Sequence, residues 1–206
     1  MAAPPSPPRI PRFAARFPRA LGRLRGLALA LPAALASAAV AAPGPAPTPE
    51  YEVKAAFLYK FVKFTDWPAA AFPDPKAPLV VEVVGKDPFA GLLATTFAGK
   101  ELHGRPFVVR HAAEVPESVD SHLLFVGDLS SRARKSLLER CRARPVLVVG
   151  EHPGLAREGA IVNLYLEEGK VRFEINPDAA RAGGLQISSQ LLKLARIVTP
   201  PREDGT

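Results

Sequence analysis

Three aliphatic runs in this sequence each end in glycine with an acid close behind: Gly85-Lys86-Asp87, Gly127-Asp128 and Gly150-Glu151-His152. If the runs are parallel strands, their carboxyl ends share one edge of a sheet, where open α/β folds place ligand crevices. Asp87, Asp128 and Glu151 are therefore the ligand-crevice candidates, in a crevice acidic except where helix N-termini could accept an anion. The plainer assignment is to turns and helix caps, where Asp and Gly are favoured for backbone reasons. Elsewhere reactive constellations are missing. There is no GxSxG elbow, no GxxxxGK[ST] phosphate loop and no GxGxxG after a strand. Ser188-Ser189 has no histidine at a motif spacing and reads as a helix cap. His103, His111, His122 and His152 are scattered over expected loops and strand edges, never at HExxH spacing, and read as solvated side chains. Cys141 is the single cysteine, so an internal disulfide and a multi-cysteine metal cage are excluded. It shares a helical face with Leu137 and Leu138 and reads as a small buried hydrophobe. No catalytic residue, cofactor or metal is assigned, and the chain reads as a non-enzyme.

The charge balance points the same way once it is placed on the chain. The 206 residues carry 27 Lys and Arg against 20 Asp and Glu, a formal +7. Six of those bases are arginines within residues 1–42, which hold no acid; without them 21 bases face 20 acids. The rest of the chain is nearly neutral, which argues against a nucleic-acid partner. The arginines precede an apolar run from Gly26 to Val40 and the small-x-small triplets Ala36-Ser37-Ala38 and Ala39-Val40-Ala41. Residues 1–41 are therefore read as a signal peptide, cut near Ala38 or Ala41. An uncleaved anchor is the alternative, but residues 26–42 contain Pro32 and fall short of the roughly 20 strongly apolar residues of a membrane span. Residues 42–49 form a Pro-rich linker, 50–199 one α/β domain with a single core, and 200–206 a C-terminal tail.

The elements that must position the candidate residues follow from periodicity. A helix over 51–67, ended by Pro68, carries the stripe Val53, Phe57, Phe61 and Phe64, with Tyr59 and Trp67 off it. Strands are expected over 79–84, 106–110, 122–126 and 146–149. Helices are expected from the Asp87-Pro88 cap to Gly99, with Phe89, Leu92, Leu93 and Phe97 inward, and after Gly127-Asp128 through Arg142. Runs over 161–166 and 171–175 make a hairpin, with Val171, Phe173 and Ile175 inward and Arg172 and Glu174 in water. Asn176-Pro177 opens a last helical region that Gly183-Gly184 breaks, its second half striped by Ile187, Leu191, Leu194 and Val198. Interleaved strands and helices make an α/β fold: a single domain with a mixed, mostly parallel sheet flanked by helices and one antiparallel hairpin.

Two motifs and their spacing carry a resemblance. Phe57-Leu58-Tyr59-Lys60-Phe61 leading to Trp67-Pro68, and Phe173-Glu174-Ile175-Asn176 followed by Ser188-Ser189-Gln190-Leu191-Leu192, together resemble the opening and closing segments of the YfiR-like family. The resemblance covers residues 51–198. It implies a periplasmic protein of Gram-negative bacteria that binds the periplasmic domain of a membrane-bound diguanylate cyclase and represses cyclic-di-GMP synthesis and biofilm formation. It also implies a homodimer, and no stable membrane insertion once the signal peptide is removed. Family members under redox control use cysteine pairs, which this chain lacks. Such a repressor needs a surface whose affinity differs between two states of its partner rather than reactive groups. Tyr59, Trp67, Arg181, Gln186, Ser188 and Ser189 are the partner-binding candidates, a mix of aromatic, arginine and polar residues suited to interfaces. The rival expectation is a periplasmic small-molecule-binding sensor or transport accessory protein that uses the acidic sheet edge.

Overall fold

The computed structural model describes residues 48–199. The expected signal peptide, most of the linker and the tail lie outside the described residues. Helix α1 (Pro49–Lys63) begins on a proline, places Glu50 and Glu52 in its first turn and Lys60 and Lys63 in its last, and so complements its own dipole at both ends. It stops at Phe64 rather than at Pro68, because Thr65–Asp66 (β1) pairs antiparallel with Gln186–Ile187 (β9). Its buried face is also rotated from the expected stripe: Ala55, Leu58, Phe61 and Val62 point inward, whereas Val53 is 45% exposed. Apolar residues occur all round this helix, so spacing alone did not identify the inner face.

The main sheet holds eight strands: β2 (Leu79–Val84), β3 (Glu101–Leu102), β4 (Arg105–Ala112), β5 (Leu123–Val126), β6 (Leu147–Gly150), β7 (Val162–Glu167), β8 (Lys170–Ile175) and β10 (Arg196–Ile197). Their spatial order is β10-β8-β7-β6-β5-β2-β4-β3. Strands β4, β2, β5, β6 and β7 run parallel, and β8 returns antiparallel to β7. The expected class, a mixed and mostly parallel sheet, is what forms; beside the expected antiparallel hairpin of β7 and β8, the short β3 also pairs antiparallel with β4 at the far edge. The hairpin turns at Glu168-Gly169, both with positive φ, the geometry that a two-residue loop between right-twisted strands demands.

Both faces of the sheet are covered at its central strands β2, β5 and β6, which is why these are almost continuously aliphatic, whereas β4 towards the edge has no fully buried residue. Leu123, Phe125, Leu147 and Val149 pack with α1 and α2 (Leu92–Phe97) in one core. Leu124, Val126 and Val148 pack with α3 (Ser131–Cys141) and with Leu155 of α4 (Leu155–Glu158) in the other. Helix α2 is shorter than expected, since residues 88–91 form turns and Asp87 Oδ1 accepts a hydrogen bond from Phe89 N rather than capping a full helix. The last region is not one broken helix but α5 (Pro177–Ala182), β9, α6 (Ser189–Leu192) and β10. Leu194, expected in the buried stripe, is 75% exposed because the chain leaves the helix at Lys193 to add β10 beside β8.

Asn176 shows how one residue joins these layers. Its Oδ1 accepts from Asp178 N and Ala179 N and so caps α5, while its Nδ2 donates to Ala156 O in α4. The side chain is buried. Asn176→Ala removes the cap and leaves a buried carbonyl unpaired, a combined loss expected at about 3 kcal/mol and measurable by urea unfolding.

Candidate functional site

Two places on the molecule could carry function. The first is an apolar groove of about 300 Å³ lined by Phe57, Lys60 and Phe64 of the α1 region, Phe173 of β8, and Gln190, Leu191 and Leu194. Its floor is rigid: Phe57 stacks on Phe61 with centroids 5.8 Å apart, and Phe173 meets both rings at 5.5 and 5.0 Å. Ser188 caps α6 by accepting Gln190 N, as its type and position imply, and that short helix forms one wall. Leu194 stands at the rim. A large exposed aliphatic beside half-buried aromatics, with Lys60 and Gln190 at the margin, has the make-up of an interface centre with a polar edge.

The antiparallel ribbon of β1 and β9 adjoins this groove. Asp66 pairs with Gln186, Thr65 with Ile187, and Ser188 N donates to Phe64 O at 2.8 Å. Of the partner-binding candidates, Gln186, Ser188 and Ser189 are thus brought together beside Phe64. Trp67 follows β1 directly; it is half-buried, and its Nε1 has no acceptor among the described residues. Arg181 is exposed on α5 and pairs with Asp178. Tyr59 is not part of this ribbon: its ring packs edge-on against Phe97 and Phe107, under the ammonium of Lys100. Phe57, Phe64 and Leu194, which line the groove, belong by their spacing to the expected helical stripes rather than to a surface. The density of aromatics in and just after the first helix is the one signal in the sequence that marks Phe57 and Phe64, and no local signal marks Leu194.

The second place is the sheet edge. Strands β2, β5 and β6 do end together, Val84 beside Val126 and Val126 beside Gly150. A Cβ on Gly127 would lie 2.4 Å from Lys86 O, so this glycine is required by the close approach of two chain ends. The three acids do not share a cavity. Asp87 serves its own turn, and Asp128 is exposed with its carbonyl accepting from Lys86 N. Glu151 accepts hydrogen bonds from Tyr51 Oη at 3.0 Å and from the Lys54 ammonium, which also pairs with Glu50. Burial of Tyr51 and the neighbouring Glu151 charge hold its phenol above the ordinary tyrosine range. Burial would lower the Lys54 ammonium, but its bonds to Glu151 and Glu50 outweigh that and hold it above the usual lysine value. A cavity of about 340 Å³ opens beside Glu151, lined further by Pro153, Gly154, Arg157, Asn163, Tyr165, Glu174 and Arg196. Glu174, expected in water, is 7% exposed because β7 and β10 flank it on both sides.

Two other expectations resolve differently. His122 is buried rather than solvated. Its Nδ1 accepts from Val80 N at 3.1 Å, so Nε2 carries the proton and donates to Ala71 O at 3.2 Å, with Phe72 stacked on the ring at 4.5 Å. Burial pushes its pKa down, aided by the charges of Arg105 and Arg110, against the pull of the Ala71 hydrogen bond. Cys141 is buried as its helical face implies, and burial pushes its thiol up to about 11, far from thiolate at neutral pH.

Among the described residues, no helix is long and apolar enough to cross a membrane. A crystal structure of a conserved domain protein from Vibrio cholerae O1 biovar eltor aligns with 71% of this chain and 59% of its own, at 16% identity and a TM-score of 0.45. The chain therefore spans about 59% of that neighbour. A family model described as YfiR/HmsC-like matches residues 51–196. That match runs from the first turn of α1 to the start of β10 and takes in both candidate sites, so the chain belongs to the YfiR/HmsC-like family.

Proposed function

We propose that this protein is a non-enzymatic periplasmic regulator that binds the periplasmic sensor domain of an inner-membrane diguanylate cyclase and restrains cyclic-di-GMP synthesis. The observation that carries this reading is the family match over residues 51–196. The groove between α1 and α6 and the adjoining β1–β9 ribbon support it as the contact surface, because they combine exposed Leu194 with half-buried Phe57 and Phe64 on a rigid aromatic floor. Repression is a population shift: the protein need only bind the silent state of the cyclase more tightly than the active one, and a hundredfold preference corresponds to about 2.7 kcal/mol. Residues 1–41 would direct export, and a homodimer would present two such surfaces.

Leu194→Asp tests the surface. Leu194 contributes little to the core, so the variant is expected to keep its melting temperature. A charge placed in the groove is expected to weaken copurification with the cyclase by at least about tenfold and to raise cyclic-di-GMP in cells. A variant that folds, binds and represses like the parent protein removes the groove from the interface; failure of the parent protein to copurify with any cyclase removes the function itself.

A further inference from the structure

His122, buried just before β5, extends the ladder to β2 with its side chain. Its main-chain N donates to Val80 O at 2.9 Å, and its Nδ1 accepts from Val80 N at 3.1 Å. The opposite ring nitrogen, Nε2, donates to Ala71 O at 3.2 Å. Ala71 belongs to the segment that runs from Trp67, directly after β1, towards the start of β2, and Phe72 of that segment stacks on the ring at 4.5 Å. A Cβ on Gly184 would lie 3.7 Å from Pro68 Cγ, so the same segment also abuts the loop that leads into β9. The imidazole therefore ties a segment beside the β1–β9 ribbon to the interior of the sheet.

Both ring bonds require the neutral imidazole with its proton on Nε2. A second proton, on Nδ1, sets N–H against the Val80 N–H and forces the ring to turn, which also draws Nε2 away from Ala71 O. The segment has another tie in Arg105 of β4, which donates to Asp74 O and Ala77 O at 3.0 and 2.8 Å and lies 3.8 Å from the Phe72 ring centroid. An arginine keeps its charge, so of the two ties only His122 changes charge between about pH 5 and 8. The surroundings disfavour a second cation. Arg105 and Arg110 approach from β4 and exposed Arg144 from the turn before β6, while Glu82 of β2 is paired with Arg110 at 3.7 Å. Asp74 and Lys76 of the segment and Asp120 before β5 are exposed, and among the described residues no carboxylate forms an ion pair with the ring. Burial above all, then Arg105 and Arg110, hold the His122 pKa below the ordinary histidine value despite the Ala71 bond. A cavity of about 520 Å³, lined by Ala71, Val80, Arg110 and Arg144 beside His122, leaves the ring room to turn.

We propose that His122 is a pH-sensitive latch: once protonated it lets go of Val80 and Ala71 and releases residues 67–72 from the sheet. The device belongs to this chain alone and does not depend on the cyclase reading. Its contribution to stability is complete above the unfolded histidine value, about 6.5, and is lost as pH falls through the lower folded value. Trp67 is the single tryptophan and its ring centroid lies 6.5 Å from that of His122, so the full chain carries its own reporter. Between about pH 7.5 and about pH 5 its emission maximum is expected to move reversibly to the red with circular dichroism unchanged. The Val80 amide is expected to lose at least about tenfold of its protection against hydrogen exchange, corrected for the intrinsic effect of pH. Wavelength is read rather than intensity, because an imidazolium quenches a nearby indole without any movement. His122→Gln, which cannot titrate but keeps His103, His111 and His152, is expected to abolish both changes. Should that variant not fold, the His122 ring titration followed by NMR in the parent protein takes its place, and its midpoint must coincide with that of the emission shift. The latch is overturned by an emission maximum and Val80 protection that do not move, or by a shift that persists in His122→Gln. A midpoint different from that of the ring, or a shift seen only with loss of circular dichroism, overturns it equally.

Discussion

Replacing Lys54 by alanine is expected to destabilise the protein by about 3 kcal/mol, the lower end of what breaking a buried ion pair costs. Lys54 is 4% exposed and stands between Glu50 and Glu151, with its ammonium 4.5 Å from the centroid of the Tyr51 ring. Removing it leaves two carboxylates near each other with no cation between them. Both acids keep partial contact with water, which softens the penalty. The loss is measured by chemical denaturation, and adding Glu151→Gln to the Lys54→Ala protein is expected to recover part of it. Equal unfolding midpoints for the parent and Lys54→Ala would show that the cluster stabilises nothing. The same cluster sets an alkaline limit. The Lys54 and Tyr51 pKa values are both raised in the folded state, so each contributes stability that is full below its unfolded value, about 10, and is lost as pH rises through the folded value. The parent protein should therefore lose stability above about pH 10, and Lys54→Ala should lose less over the same range.

Phe61→Ala is expected to cost about 4 kcal/mol, a large fraction of the 5–15 kcal/mol that holds a typical domain folded. Phe61 is fully buried, and its ring touches Phe57 and Phe173, tying α1 to β8 beneath the groove. The cavity left behind lies where two elements from opposite ends of the chain meet, so collapse around it would have to move a helix. A lowered melting temperature with loss of cyclase repression is the expected pair of results. Repression retained after such destabilisation would separate the groove floor from function. Phe61→Ala removes apolar mass from the core, whereas Leu194→Asp alters only the rim of the groove.

Much of the fold could be read along the chain because the signals are local. Asn176-Pro177 announces α5, and the amide then makes the two capping bonds that its position requires. The aliphatic runs ending at Gly85, Gly127 and Gly150 announce parallel strands covered on both faces, and they end side by side. Cys141 follows Leu137 and Leu138 into the core. Such residues settle backbone choices within a few positions of themselves, and the chain obeys them wherever it folds.

The functional surfaces depend on meetings that no local pattern encodes. Helix α1 ends early because β1 finds β9 far along the chain, and Leu194 leaves the core because β10 pairs with β8. Glu151 passes from crevice candidate to partner of Tyr51 and Lys54 only when α1 lies across the end of β6. Glu174 occupies an alternation that reads as wet, yet it lies buried between Asn163 and Arg196. Composition and motif order by themselves determined the α/β class, the absence of a recognisable catalytic motif and the family resemblance, since these follow from residue type and sequence spacing. Tertiary structure alone decided which side chains share a groove or a cavity, because that depends on strand register and helix rotation, and both are set by contacts between distant segments.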